Sequence, residues 1–262
     1  MNRIERKFKE LKRADKKAFI PFITAGYPDL STTKKLIIEF SKAGVDIIEL
    51  GVPFSDPLAD GPVIQEASRE ALKKKAHLAG IIKLVGRVRK SVPIPVCLMT
   101  YYNPIFCFGR EKFIMEALRN GVDGVIIPDL PPEEDAPFVK AAAKSGLDLI
   151  FFLSPTSTVR RMKFISRVSR GFIYYVSLTG VTGARKALSP DIQKNIRLIK
   201  KYTNKPICVG FGVSTYAQVK EAGRLSDGVI VGSAIVKKIK DNLGKRDLIK
   251  RVVNFVRGLT NV

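Results

Sequence analysis

Ala43-Gly-Val-Asp-Ile-Ile-Glu-Leu50, Asn120-Gly-Val-Asp-Gly-Val-Ile126 and Ser145-Gly-Leu-Asp-Leu-Ile150 are three versions of one pattern. In each, a glycine ends an amphipathic stretch, an aspartate follows two residues later, and an apolar run comes next. Glycine accepts the left-handed conformation that commonly stops a helix. A short continuous apolar run suits a parallel strand covered on both faces. Each copy therefore reads as a helix stop, a tight turn and a new strand.

The same alternation extends over the whole chain. Strand candidates lie at 18–24, 46–50, 94–100, 123–127, 148–153, 172–176, 206–210 and 227–231. Helical patterns fill 31–43, 62–75, 78–91, 110–120, 133–145, 158–169, 190–202, 214–222 and 235–257. Ser189-Pro190 and Pro131-Pro132-Glu133-Glu134 look like helix openings. Gly44, Gly121, Gly146 and Gly223 look like helix stops. Eight strand–helix units in 262 residues predict a (β/α)8 TIM barrel. Residues 1–15 predict an additional N-terminal helix closing its bottom. No linker or change of composition divides 1–262, so one domain is expected. The alternative is an open doubly wound sheet. A dinucleotide-binding sheet of that kind should carry G-x-G-x-x-G after its first strand. Here that strand ends in Thr24-Ala-Gly-Tyr-Pro28.

Composition narrows the function. No apolar run reaches 18 residues, and the basic N-terminus lacks an apolar leader core, so a cytoplasmic protein with no membrane span is expected. Cys97, Cys107 and Cys208 show no metal or redox spacing and read as reduced thiols. Lys and Arg number 46 against 24 Asp and Glu, a net charge of +22. Such an excess raises nucleic acid or an anionic surface as a partner. The cations are spread over helical faces without a nucleic-acid motif or aromatic interleaving, so neither is expected. Steering of an anionic substrate is the simpler reading.

Active sites of such barrels lie on the loops after the strands, and phosphate commonly binds after the seventh and eighth. Those loops begin Gly210-Phe211-Gly212 and Gly232-Ser233-Ala234, and the sixth contains Thr182-Gly183. Glycines let backbone amides approach an anion, and a helix start at Ser233 adds its dipole and a hydroxyl. Thr182, Gly183, Gly212, Gly232 and Ser233 are the phosphate candidates.

The second strand carries the chemistry candidates. Glu49 ends it, and Asp60 closes the stiff loop Gly51-Val-Pro-Phe-Ser-Asp-Pro-Leu-Ala59. A carboxylate at the end of a buried strand is costly unless paired or used. Two of them can transfer protons at two points of one substrate. A structural reading stays open for each, Glu49 as partner of a loop amide and Asp60 as a turn or cap residue. Asp56 reads as structural. Asp129, after the fourth strand, either orients the Asp60 loop or caps a helix. Phe22, Met99, Tyr101, Tyr174 and Phe211 lie in or just after strands and could wall an aromatic substrate. His77 is the sole histidine and sits at a helix end. No strand core contains a lysine, so neither a histidine-bound metal nor a Schiff base is expected.

Several of these segments together resemble one family. They are Ile20-Pro-Phe-Ile-Thr-Ala-Gly-Tyr-Pro28, Glu49-Leu-Gly-Val-Pro-Phe-Ser-Asp-Pro-Leu-Ala-Asp-Gly-Pro62, Met99-Thr-Tyr-Tyr-Asn-Pro104, Pro128-Asp-Leu-Pro131, Ser177-Leu-Thr-Gly-Val-Thr-Gly183, Gly210-Phe-Gly212 and Val231-Gly-Ser-Ala-Ile-Val236. Over nearly its whole length the chain is similar to the tryptophan synthase α chains. The resemblance implies cleavage of indole-3-glycerol phosphate, with Glu49 and Asp60 catalytic and a mobile loop around 182–189. It implies no cofactor in this chain. It also implies a pyridoxal-phosphate β chain that receives indole, in an α2β2 tetramer. The basic loop Ala184-Arg-Lys-Ala-Leu-Ser189 and the +22 charge depart from that pattern. The implied substrate fits the missing metal and imine groups, because an indole ring can itself hold the electrons of the broken bond. Glu49 would act on indole C3 and the glycerol hydroxyl, and Asp60 on the indole N–H. A stand-alone indole-releasing lyase, a non-enzymatic activator barrel and an isomerase with a carboxylate base are the other readings.

Overall fold

The computed structural model describes residues 2–176, 190–210 and 212–260. Its strands are β1 (Ala18–Thr24), β2 (Ile48–Gly51), β3 (Val96–Met99), β4 (Gly124–Ile126), β5 (Asp148–Ile150), β6 (Phe152–Leu153), β7 (Ile173–Val176), β8 (Ile207–Gly210) and β9 (Gly228–Val231). They pair in the order β5-β4-β3-β2-β1-β9-β8-β7-β6, all parallel. The two ends of this order are one piece of chain. β5 pairs with β4, β6 pairs with β7, and only Phe151 separates them. Its carbonyl accepts the Tyr174 amide at 3.0 Å. The predicted fifth strand thus closes the barrel, its first half bonded to one neighbour and its second half to the other.

The helices are α1 (Arg3–Arg13), α2 (Leu30–Lys42), α3 (Pro62–Lys73), α4 (Leu78–Val88), α5 (Tyr102–Phe108), α6 (Arg110–Arg119), α7 (Ala136–Ser145), α8 (Val159–Val168), α9 (Pro190–Lys200), α10 (Tyr216–Leu225), α11 (Ser233–Lys240) and α12 (Leu248–Arg257). Four expectations need correction. The stretch 235–257 is two helices, broken where Gly244 turns left-handed at φ +75°. The apolar period survives that break and conceals it. α7 opens later than the acidic Pro131–Glu134 segment, and Asp135 caps it by accepting the Phe138 amide at 3.1 Å. Gly223 lies buried inside α10 and stops nothing. α5 is an additional short helix whose Pro104 falls in the first turn, where no amide is needed. Gly44, Gly121 and Gly146 have φ of +84°, +77° and +90°, as their stop positions require.

Two of the three aspartates of the opening pattern tie their strand to the preceding one. Asp46 and Asp123 accept the amides of Phe19 and Val96 on the preceding strand, each at 2.9 Å. Asp227 does the same for Ile207 at 2.8 Å. Asp123 also binds Arg3 at 2.8 Å and Arg89 at 3.3 Å, which ties α1 to the bottom of the barrel. From there Ile4, Phe8 and Leu11 enter the interior and meet Ile47, Cys97, Ile126, Phe172, Tyr174 and Cys208. The bottom is therefore plugged, and the open end is the one formed by the strand C-termini.

Candidate active site

Glu49 is not the last residue of its strand but the second of β2, so it stands inside the barrel below the mouth. It is fully buried, and neither carboxyl oxygen has a hydrogen-bond partner among the described residues. Its field reaches Cys97, Tyr174 and Cys208, the side chains of the barrel interior. Loss of solvation, and then the nearby charge of Asp60, raise its pKa to about 8. A carboxyl kept this way is mostly protonated at neutral pH and can donate a proton. Among the described residues no loop amide or lysine satisfies it, as the structural alternative would require.

Asp60 is held above Glu49 by its loop. Its Oδ2 accepts from the Tyr101 hydroxyl at 3.1 Å, and its carbonyl accepts from Gln65 Nε2 at 2.9 Å. Burial raises its pKa to about 6, against the Tyr101 hydrogen bond, which favours the anion. The two carboxyls therefore differ in state near pH 7, one mainly acid and one mainly anion. Such a separation is what an acid–base pair needs. Asp56 is exposed on the same loop, and no side-chain bond ties it to the barrel among the described residues.

Aromatic side chains close around the pair. Phe22 pairs in register with Glu49, and its ring lies across Gly51 and against Gly232. A Cβ at Gly51 would stand 2.4 Å from that ring. Tyr174 lies across Gly210, where a Cβ would meet its hydroxyl at 2.6 Å. Burial, and then Glu49, push the Tyr174 phenol well above its usual range, so it stays neutral. Gly51 and Gly210 thus make room for the rings that wall the site, a role that sequence reasoning did not assign. Gly210 stood out only as an anion-approach glycine, and the ring it accommodates is remote in sequence. Met99 ends β3, half-buried beside both apolar clusters. Asp129 stands one step back: its Oδ1 accepts the Tyr102 amide at 2.9 Å at the start of α5. It fixes the turn that carries Tyr101.

Gly232 is the N-cap of α11 and Ser233 its first residue. The contact between Gly232 and Phe22 places this helix start beside the carboxylate pocket. Gly212 is exposed just beyond β8. Thr182, Gly183 and Phe211, and with them the loop expected around 182–189, lie outside the described residues. Cys97 and Cys208 are buried in the barrel, Cys107 is exposed, and His77 is exposed at the start of α4.

A closed parallel barrel, with two differently poised carboxyls and aromatic walls at its open end, is the architecture of a barrel enzyme working by proton transfer. The sequence profile of the tryptophan synthase alpha chain family matches residues 8–261. The alpha chain from Citrifermentans bemidjiense is 47% identical over 259 residues, covering 99% of this chain and 97% of that one. That from Thermoanaerobacter sp. strain X514 is 46% identical over 262 residues and the full length of both. Among solved structures, tryptophan synthase subunit alpha from Legionella pneumophila superposes with a TM-score of 0.92 at 37% identity, over 99% of this chain and 97% of that one. A chain of tryptophan synthase from M. tuberculosis in an aminoacrylate-bound form gives 0.89 at 29% identity, over 99% and 98%. The chain belongs to the tryptophan synthase alpha chain family. It is a carbon–carbon lyase that cleaves indole-3-glycerol phosphate, and the indole passes to a beta subunit.

Proposed function

We propose that Glu49 and Asp60 carry the cleavage, with Glu49 alternating between acid and base. Glu49 donates its proton to indole C3. The positive charge that develops on the ring nitrogen is stabilised by the Asp60 anion through the N–H. Glu49, now a carboxylate, removes the proton of the hydroxyl on the carbon bonded to C3. That oxygen forms the aldehyde, the carbon–carbon bond breaks, and its electron pair restores the neutral indole ring. Glu49 ends protonated, as it began. The observation that carries this reading is a fully buried Glu49, without a hydrogen-bond partner among the described residues and with a pKa of about 8, near an Asp60 of about 6. The free enzyme should then show a bell-shaped kcat/KM, rising through about pH 6 and falling through about pH 8. Steady-state indole release between pH 5 and about 9.5 measures it. A flat profile across that range counts against the pair.

Phe22, Met99, Tyr101, Tyr174 and Phe211 would wall the indole ring. Thr182, Gly183, Gly212, Gly232 and Ser233 would hold the phosphate. The Ser233 and Ala234 amides open α11 and donate to no partner among the described residues, which supports an anion there. Ser233→Asp puts a negative charge at that helix start. It should weaken glycerol-phosphate binding by at least about tenfold in a phosphorus NMR titration. Undiminished affinity would remove Ser233 from the site.

The chain is proposed as a single cytoplasmic domain without a cofactor of its own, working with a pyridoxal-phosphate β chain in an α2β2 assembly. Among the described residues no helix is long and apolar enough to cross a membrane. The loop after β2 carries the apolar side chains of Val52, Pro53, Phe54 and Leu58, which need cover. Val52 and Pro53 are buried by the chain itself, and Phe54 stacks on Tyr101. Leu58 remains 83% exposed, and Phe106 on α5, at the next strand, is 61% exposed. These two residues on adjacent strand ends support a partner at the open end of the barrel. Docking there should shift the Asp60 loop toward its productive position and raise indole release about five- to 150-fold. Activity of the isolated chain, then with saturating β chain, is the measurement. Full activity alone, with no complex by ultracentrifugation, would favour a stand-alone lyase.

A further inference from the structure

Tyr101 touches both ends of the loop that carries Asp60. Its ring stacks on Phe54 at 5.2 Å between centroids. Its hydroxyl accepts the Ala59 amide at 2.9 Å and donates to Asp60 Oδ2 at 3.1 Å. Between these points Ser55, Asp56, Leu58 and Ala59 are exposed. The loop's own bonds, Leu58 N–H to Asp56 and Asp60 N–H to Pro57, are internal and do not anchor it. The only other anchor of its far end among the described residues is Gln65, which binds the Asp60 carbonyl and leaves the carboxylate free to turn. Tyr101 itself is firmly placed. It is buried, Thr100 bonds to Ile126, and the Tyr102 amide is held by Asp129. Tyr102 in turn bonds Asp135, which Arg110 pairs at 2.9 Å.

We infer that Tyr101 is a positioning residue that clamps the loop and divides the work of the Asp60 carboxylate, Oδ2 being held by the tyrosine and Oδ1 left for the indole N–H. This rests on the proposed role of Asp60. The hydroxyl cannot be exchanged for another anchor, because it is at once donor to the carboxylate and acceptor from the backbone. Burial and the adjacent Asp60 keep the phenol protonated, so the donor persists through the working pH range. The aromatic ring serves the stack and the hydroxyl serves the orientation, and a single substitution separates the two.

Tyr101→Phe keeps the ring and removes the hydroxyl. A hydrogen bond to a charged group lost here should lower kcat about ten- to one-hundredfold. The fold should be unchanged by near-ultraviolet circular dichroism, and KM should move little. Without the donor that favours the Asp60 anion, the acid limb of kcat/KM should move to higher pH. The Ala59 amide should exchange with deuterium faster. In an Asp60→Asn background, Tyr101→Phe should cause no further loss in single-turnover indole release. The inference is overturned if the acid limb stays in place, or if the full Tyr101→Phe loss recurs in the Asp60→Asn background. A fully active Asp60→Asn enzyme would instead remove the role of Asp60 itself, and the clamp with it.

Discussion

Indole release by Glu49→Gln is expected to fall by about two to four orders of magnitude, the usual scale for a lost general acid or base. Glutamine has the same shape and fills the same buried position, so substrate binding should change little. It can neither donate the proton to C3 nor take one from the glycerol hydroxyl. No other titratable group among the described residues stands inside the barrel at the height of Glu49 except two thiols and a phenol, all held neutral by burial. A rate within a factor of about three of the wild type would sink the assignment. The same substitution has an opposite expected effect on stability. The folded pKa of Glu49 is about 8 against the ordinary value of 4.5 for a solvated glutamate. Between those values the unfolded chain has released the proton and the folded chain retains it. This group therefore makes wild-type stability fall as pH rises from 4.5 toward 8. Its slope is about 1.4 kcal/mol per pH unit at the steepest. Glu49→Gln should lack that component. Urea unfolding of both proteins at pH 5 and pH 8 tests it, and parallel losses in the two proteins would argue against a buried protonated carboxyl.

Asp60→Asn is expected to be nearly as damaging, with about two to three orders of magnitude lost from kcat. Asparagine can still accept the Tyr101 hydrogen bond, so the loop should keep its place. What disappears is the negative charge facing the indole nitrogen as the ring is protonated. Because Asp60 also raises the Glu49 pKa, its neutral replacement should move the basic limb of the residual activity to lower pH. Asp56→Asn changes an exposed residue of the same loop and should retain most activity. If Asp56→Asn were the more harmful change, the wrong carboxylate of the loop has been assigned.

Much of the molecule was legible in one dimension. The repeated Gly-x-Asp stop and its apolar run encode a turn and a strand locally, and local patterns do not depend on what packs against them. All eight strands were found, because parallel strands buried on both faces must be apolar throughout. Glu49 and Asp60 stood out as candidates for a related reason. A carboxylate in or beside a buried run has a solvation cost that an apolar segment cannot offset, so it stands out as chemistry. The misread features were those in which period and context disagree. The helical period of 235–257 ran through Gly244 unbroken, and α5 was too short to show any period.

What only the tertiary structure decided was which remote residues meet. The division of one apolar run at Phe151 into two half-strands is a consequence of closing a ring, and no local signal carries it. Gly51 and Gly210 are small because the rings of Phe22 and Tyr174, far away in the chain, occupy the space over them. Sequence could say that Glu49 was costly, but not that both its oxygens lack partners among the described residues. That depends on every side chain the barrel turns inward, and the same enclosure, with Asp60 nearby, raises its pKa to about 8. Asp60 was legible as a carboxylate at the end of a stiff loop. The hydroxyl of Tyr101, 41 residues further on, determines which of its oxygens is held and which is free.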